Sequence, residues 1–317
     1  MISTRKRTVA PEGWSARRSR ENAKEKKDIA QQFAEHEFLV GENNGPERPR
    51  ETAATILVVH GTSPDVAVGA ALKAVARRQR PYGPFINWYS PGALVPPTLL
   101  QFRKEYPDLI SATRLFLFPG EVDLDIEAAC SDEAVNYAKE LQVSFTYAFL
   151  GAYSCDLLNG TVYFQHPREV NLQRACALKP ARQKVLFLDS SKFRREGHAG
   201  YTFRELMATS ETVTLYTASK AERRDSYLIN EFKTLANVLL STKKNDKVVE
   251  GAGEKTLRIC IVRGATKEPL AEQKTGYLKV APVSDQSSQL HIERLVESSN
   301  GFRANGVHLP RNGGGSI

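Results

Sequence analysis

The sequence predicts an α/β fold, an open, parallel-rich sheet with helices on both faces. Three observations carry that expectation. From residue 52 onward, short apolar runs alternate with longer helical stretches, the strand–helix–strand order that builds parallel sheets with crossover connections. Two of the strongest runs, Phe145 to Leu150 and Val185 to Leu188, are almost wholly apolar, as strands covered on both faces are. Both end abruptly, the first in Gly151-Ala152 and the second in Asp189-Ser190-Ser191-Lys192-Phe193. Ligands of open α/β sheets bind beyond the carboxyl ends of the strands, so these two turns locate a candidate pocket.

Taken in order, residues 1–51 show no strand pattern. Arg17 to Phe38 is expected as one helix, polar for most of its length, with Ile29, Phe33 and Phe38 as a short apolar stripe. Glu42-Asn43-Asn44-Gly45-Pro46 breaks the chain, and residues 47–51 read as linker. Strands are expected at 55–59, 84–88, 113–118, 145–150, 184–189, 213–216 and 257–262. Helices are expected at 64–79, 96–106, 131–142, 168–178 and 219–241. The organisation is therefore a basic, partly helical amino-terminal arm (1–51), an α/β domain (52–264) and a carboxyl-terminal extension (265–317). The extension is poor in aromatics and ends in Gly313-Gly314-Gly315. It is expected to be partly disordered, with Tyr277 to Val280 as a possible edge strand.

Composition bounds the function. Hydrophobic residues make up 41% and charged residues 25% of the 317, which is usual for a soluble globular protein. The longest apolar runs are strand-sized, well short of the ~20 residues that cross a bilayer. Basic residues near the amino terminus are not followed by an apolar run, so no secretory signal is expected. The expectation is a cytoplasmic protein with no membrane partner. Cys130, Cys155, Cys176 and Cys260 form no CxxC pair and lie away from the histidines. They read as reduced thiols, so neither a disulfide framework, a metal site nor a cofactor is expected. The net charge of +8 is concentrated at one end: residues 1–27 hold nine Lys/Arg against three acids. Among them Arg5, Lys6, Arg7, Arg17, Arg18 and Arg20 are candidate contacts to DNA phosphates, without base specificity. A solvated arm is the alternative.

The first strand leads into His60-Gly61-Thr62-Ser63-Pro64-Asp65. Ser63 is a good helix N-cap, and proline suits a first helical position. A Gly-Thr-Ser turn at a helix start offers backbone N–H groups, hydroxyls and the positive dipole end to a phosphate. Asp65 argues the other way, because a carboxylate in the first turn can satisfy the dipole itself.

Further segments fall in a particular order: Gly61-Thr62-Ser63, Leu117-Phe118-Pro119-Gly120-Glu121, Phe149-Leu150-Gly151-Ala152 with Asp156, Pro167 to Ala175, and Val185 to Phe193. Together they resemble the effector-sensing domain of the DeoR family of bacterial transcription regulators, over roughly residues 54–218. The resemblance implies the fold shared by ribose-5-phosphate isomerase, glucosamine-6-phosphate deaminase and CoA transferases. It also implies a non-catalytic pocket for a phosphorylated sugar or related metabolite, in a protein that forms homo-oligomers. By that resemblance Gly61, Thr62 and Ser63 would cradle the phosphate and Lys192 would be its counter-charge, a role suited to a compact mobile cation. Asp156 and Glu169 would accept from sugar hydroxyls, and Gly120, Glu121, Gly151, Tyr153 and Asp189 complete the ligand-binding set.

The chain departs from the family at several points. Tyr153 stands where the family usually has the aspartate of Gly-Ala-Asp, Gln173 replaces a common lysine, and Ala218 replaces an aspartate. Sugar-phosphate isomerisation needs a placed carboxylate base and an acid or cation, so an enzyme on this fold is the less favoured reading. Residues 1–51 show no helix-turn-helix pattern. A scaffold module with a vestigial pocket therefore stands beside the sensor as an alternative.

Overall fold

The computed structural model describes residues 22–38, 54–77, 86–107, 113–219, 222–241, 255–263, 275–280 and 292–297. Seven strands run parallel in one sheet: β1 (Ala54–Val58), β2 (Ile86–Ser90), β3 (Thr113–Leu117), β6 (Phe145–Leu150), β9 (Ala181–Leu188), β11 (Ser210–Ser219) and β12 (Thr256–Arg263). Two further strands, β13 (Thr275–Val280) and β14 (Ile292–Glu297), add antiparallel beyond β12. The order across the sheet is β14-β13-β12-β11-β9-β6-β1-β2-β3. The chain thus leaves β1 toward one edge and returns through β6 on the other side, so strand order reverses between β1 and β6. That is where an open sheet leaves a crevice at its carboxyl edge.

All seven strands expected from the apolar runs are present, and the helices follow the same pattern. They are α1 (Ala23–His36), α2 (Thr62–Arg77), α3 (Val95–Glu105), α4 (Asp132–Glu140), α5 (Pro167–Ala177), α6 (Phe203–Ala208) and α7 (Glu222–Ser241). Side chains alternate across each strand, and the sheet consequently builds two cores. Ile56, Val58, Tyr147, Phe149, Val185 and Phe187 face α1, α2 and α3. Leu57, Val59, Ala148, Leu150, Leu186 and Leu188 face α4, α5, α6 and α7. Helices therefore cover both faces, as the continuous apolar runs require. Among the described residues no helix is long and apolar enough to cross a membrane.

Two expected boundaries are corrected. The one at residue 51 does not separate an arm from the domain, because α1 lies on the sheet. Ile29, Phe33 and Phe38 are fully buried. The Phe33 ring meets Phe149 and Phe187 at 5.3 Å, Tyr216 at 5.7 Å and Tyr147 at 5.9 Å between centroids, all edge-on, the favoured geometry for aromatic pairs. The apolar stripe read in the sequence is thus a core stripe. The boundary at 264 fails likewise, since β13 and β14 continue the same sheet, with β14 and not 277–280 at its edge. Residues 265–274 and 298–317 lie outside the described residues, as do Arg5, Lys6, Arg7, Arg17, Arg18 and Arg20.

Short elements complete the carboxyl edge. The hairpin β4 (Val122–Asp123) and β5 (Ala128–Ala129) and a small antiparallel sheet of β7 (Ser154–Asp156), β8 (Thr161–Phe164) and β10 (His198–Thr202) sit beyond the main strands.

Candidate functional site

The site begins where β1 and β6 end. Val59 extends the ladder through its N–H to Phe149 O at 2.9 Å, after which both chains turn through glycine. Gly61 has φ 154, and a Cβ on Gly151 would meet the Pro64 ring at 3.0 Å. These glycines let the carboxyl end of β6 approach the first turn of α2, which a side chain at Gly151 would hold apart. The start of α2 therefore faces across a narrow gap toward the loops after β6 and β9.

That gap is a cavity of about 30 Å³, room for an ordered water or a small ionic group. Seven of the expected site residues line it: Gly61, Thr62, Ser63, Gly151, Tyr153, Glu169 and Lys192. Segments 130 residues apart in sequence are thus brought to one hollow. Lys192 is only 8% exposed. Its backbone is laid against β7, with Cys155 N–H donating to Lys192 O at 2.8 Å and Arg194 N–H to Cys155 O at 3.2 Å. The Lys192 ammonium lies 5.9 Å from the Tyr153 ring centroid.

Tyr153 is held from outside the cavity. Its hydroxyl donates to Glu196 Oε1 at 2.9 Å, Arg194 stacks over its ring at 4.9 Å, and Arg194 Nε pairs with Glu196 Oε2 at 2.7 Å. The Tyr153 phenol is therefore a wall of the cavity, with its hydroxyl already engaged by a carboxylate.

Four expected residues do not line the cavity. Asp156 accepts from Leu158 N–H (3.0 Å), Asn159 N–H (3.3 Å) and Asn159 Nδ2 (2.6 Å). It is engaged in shaping the β7–β8 turn, as short carboxylates do. Asp189 is buried and accepts from Ser191 N–H at 3.1 Å and Asn22 Nδ2 at 2.9 Å, so it organises the turn that carries Lys192. Glu121 is exposed. Gly120 packs against Ser131, the residue that caps α4.

Two residues outside the expected set belong to the site. Gln173 stands one turn after Glu169 on α5, on the same helix face. Its Nε2 donates to His60 O at 2.9 Å, while its buried Oε1 accepts no hydrogen bond from the protein. His60, buried at the end of the β1 segment, also lines the cavity. Buried polar atoms are nearly always satisfied, so the Gln173 oxygen marks a place where a hydroxyl or water donor fits.

The electrostatics favour a negative group near α2. Asp65, which argued against an anion, is buried beneath the helix start with neither carboxylate oxygen accepting a bond from the protein. Burial first, and the nearby Glu127 charge second, push its carboxyl up from 3.8 to about 8. It is therefore largely neutral at pH 7 and leaves the dipole end of α2 uncompensated. The cavity combines this helix start and the Lys192 cation with acceptors from Glu169 and Gln173. Such a set binds an anion that also carries hydroxyl groups. Among the described residues no group of three His, Cys, Asp or Glu side chains is placed to hold a metal. All four cysteines are free, and burial pushes each thiol upward, Cys130 to about 12.

No family model and no curated protein matches the sequence. Among solved structures the chain is similar to ribose 5-phosphate isomerase A from Neisseria gonorrhoeae, at 11% identity and TM-score 0.32, over 54% of this chain and 53% of that one. Ribose 5-phosphate isomerase A from Methanocaldococcus jannaschii is similar at 10% identity and TM-score 0.34, over 55% of each chain. The chain spans about half the length of these structures, and at such scores the likeness assigns it no activity.

Proposed function

We propose that this protein is a cytoplasmic, DeoR-like sensor that binds a phosphorylated sugar or related phosphorylated metabolite without converting it, and that it acts as a homo-oligomer. The observation that carries this reading is the meeting of Lys192 with the Gly61-Thr62-Ser63 helix start in one cavity. A phosphate at that point takes N–H donors and the dipole of α2 on one side and the ammonium on the other. Glu169 and Gln173 then receive the hydroxyls of the attached polyol.

Calorimetric titration with inorganic phosphate, ribose 5-phosphate and glucosamine 6-phosphate tests this directly. Wild type should bind the sugar phosphates more tightly than phosphate alone. Lys192→Ala should weaken all of them by at least about tenfold, the value of a charge-assisted hydrogen bond. No heat across the panel, or binding indifferent to Lys192→Ala, removes the proposal. Glu169 supports a second reading, because a buried carboxylate beside a lysine is the pairing that aldose–ketose isomerisation uses. Conversion of ribose 5-phosphate that is abolished by Glu169→Gln would make the protein an enzyme instead.

A further inference from the structure

The turn that carries Lys192 is held from outside the sheet. Asn22, at the start of α1, donates its Nδ2 amide to Asp189 Oδ1 at 2.9 Å and to Ser191 Oγ at 3.1 Å. One turn along, Glu25 Oε2 accepts from the Ser190 backbone N–H at 2.9 Å. The three residues immediately before Lys192 are therefore all tied to the first turn of α1, more than 160 residues away in sequence. The helix gives up ordinary capping for this. Asn22 occupies the N-cap in the left-handed region (φ 53, ψ 30) and makes no side-chain cap bond, although asparagine is among the best capping residues. Its amide is turned to the Lys192 turn instead.

These bonds are not what docks the helix. Ile29, Phe33 and Phe38 do that from the apolar stripe, each 1% exposed or less. The polar contacts at the first turn are a separate device with a separate target.

We infer that α1 is a latch on the anion pocket: Asn22 and Glu25 are positioning residues that fix the Asp189–Lys192 turn, so pocket occupancy and seating of the first turn of α1 are coupled. The inference rests on the anion-binding reading above. It extends that reading by giving the pocket a route to residues 1–21, which directly precede Asn22 and hold six Lys/Arg against two acids, half of the chain's net charge of +8. Linkage is reciprocal, so the factor by which the closed latch tightens anion binding equals the factor by which the anion tightens the latch.

The test uses the full chain, inorganic phosphate as probe, and amide hydrogen exchange beside calorimetry. Asn22→Gly keeps a left-handed backbone at no steric cost and removes only the amide. Glu25→Ala removes the acceptor, and Glu25→Gln restores an acceptor without the charge. Without phosphate, Asn22→Gly/Glu25→Ala should speed exchange at Ser190, Ser191 and Lys192 by about five- to tenfold, as loss of such hydrogen bonds predicts. Exchange in the centres of β6 and β9 should not change. Phosphate affinity should fall by a similar factor, and Asn22→Gly/Glu25→Gln should recover part of it. In wild type, phosphate should slow exchange over residues 23–26, and in Lys192→Ala it should not. Unchanged exchange at residues 190–192 in the double variant overturns the latch, and so does a loosened turn with undiminished phosphate affinity. If phosphate does not bind wild type, the anion reading and the coupling fall together. Exchange at residues 190–192 then still decides whether Asn22 and Glu25 position the turn.

Discussion

Asp65 concentrates the unusual electrostatics of the site in one side chain. Its two oxygens are buried without protein donors, and desolvation followed by the Glu127 charge raises its carboxyl from 3.8 to about 8. A folded pKa above the unfolded one means that the folded state binds the extra proton between those values. The stabilisation is complete at low pH and is lost as pH rises through about 8. Asparagine mimics the protonated acid and cannot ionise. Asp65→Asn should therefore melt closest to wild type at pH 5, gain on it as pH rises to about 8, and hold a constant lead above that. Thermal melts at pH 5, 7 and 9 measure this, and a difference constant with pH would show that Asp65 is charged throughout. The same substitution leaves the helix start near-neutral at every pH, so phosphate affinity should lose any dependence it has on this carboxyl. Residues of this kind are hard to foresee. A carboxylate after a strand looks the same in sequence whether it meets a ligand, as proposed for Glu169, shapes its own turn, as Asp156 does, or is buried as an acid.

At the scale of elements, α1 shows what charge patterning conceals. The lysines of its first turns and the basic residues before it suggest an arm apart from the fold, yet the stripe of Ile29, Phe33 and Phe38 fills the face of four strands. Phe33 is the centre of that contact, with edge-on rings from β6, β9 and β11 around it. Phe33→Ala should cost about 3–5 kcal/mol, the range for deleting a buried phenylalanine, and chemical denaturation should report it as a shift in midpoint. A cost below about 1 kcal/mol would mean that α1 lies on the sheet without supporting it. The stripe itself was legible from its helical spacing. Its destination was not, because Tyr147, Phe149, Phe187 and Tyr216 become one surface only when three distant strands align in register. The central strands β1, β6 and β9 were legible for the opposite reason: burial on both faces writes most of each as an apolar run. The short strands β4, β5, β7, β8 and β10 carry no such run. Gln173 sits one helical turn from Glu169, and that spacing was the available signal for it.

For the whole molecule, the decisive feature is that two cores share one set of strands. Alternate residues of β6 and β9 go to opposite faces, so Phe149 and Phe187 pack under α1 while Leu150 and Leu186 pack under the helices of the other face. A strand cannot leave one core and stay in the other. The carboxyl-edge site depends on the same arrangement, since Gly61, Gly151 and Lys192 follow three neighbouring strands whose parallel register sets the width of the cavity. The two faces should therefore unfold together. Trp88, buried on the α1 face, provides a local probe in a Trp14→Phe background, and far-ultraviolet circular dichroism reports the whole chain. Phe232 is buried in α7 on the opposite face. Phe232→Ala should lower the Trp88 fluorescence midpoint and the dichroism midpoint equally, and by an amount comparable to Phe33→Ala. A Trp88 transition that stays at its wild-type midpoint while the dichroism shifts would show two units that fold independently. The binding site, built where their shared strands end, would then lie on a seam and not within a single cooperative body.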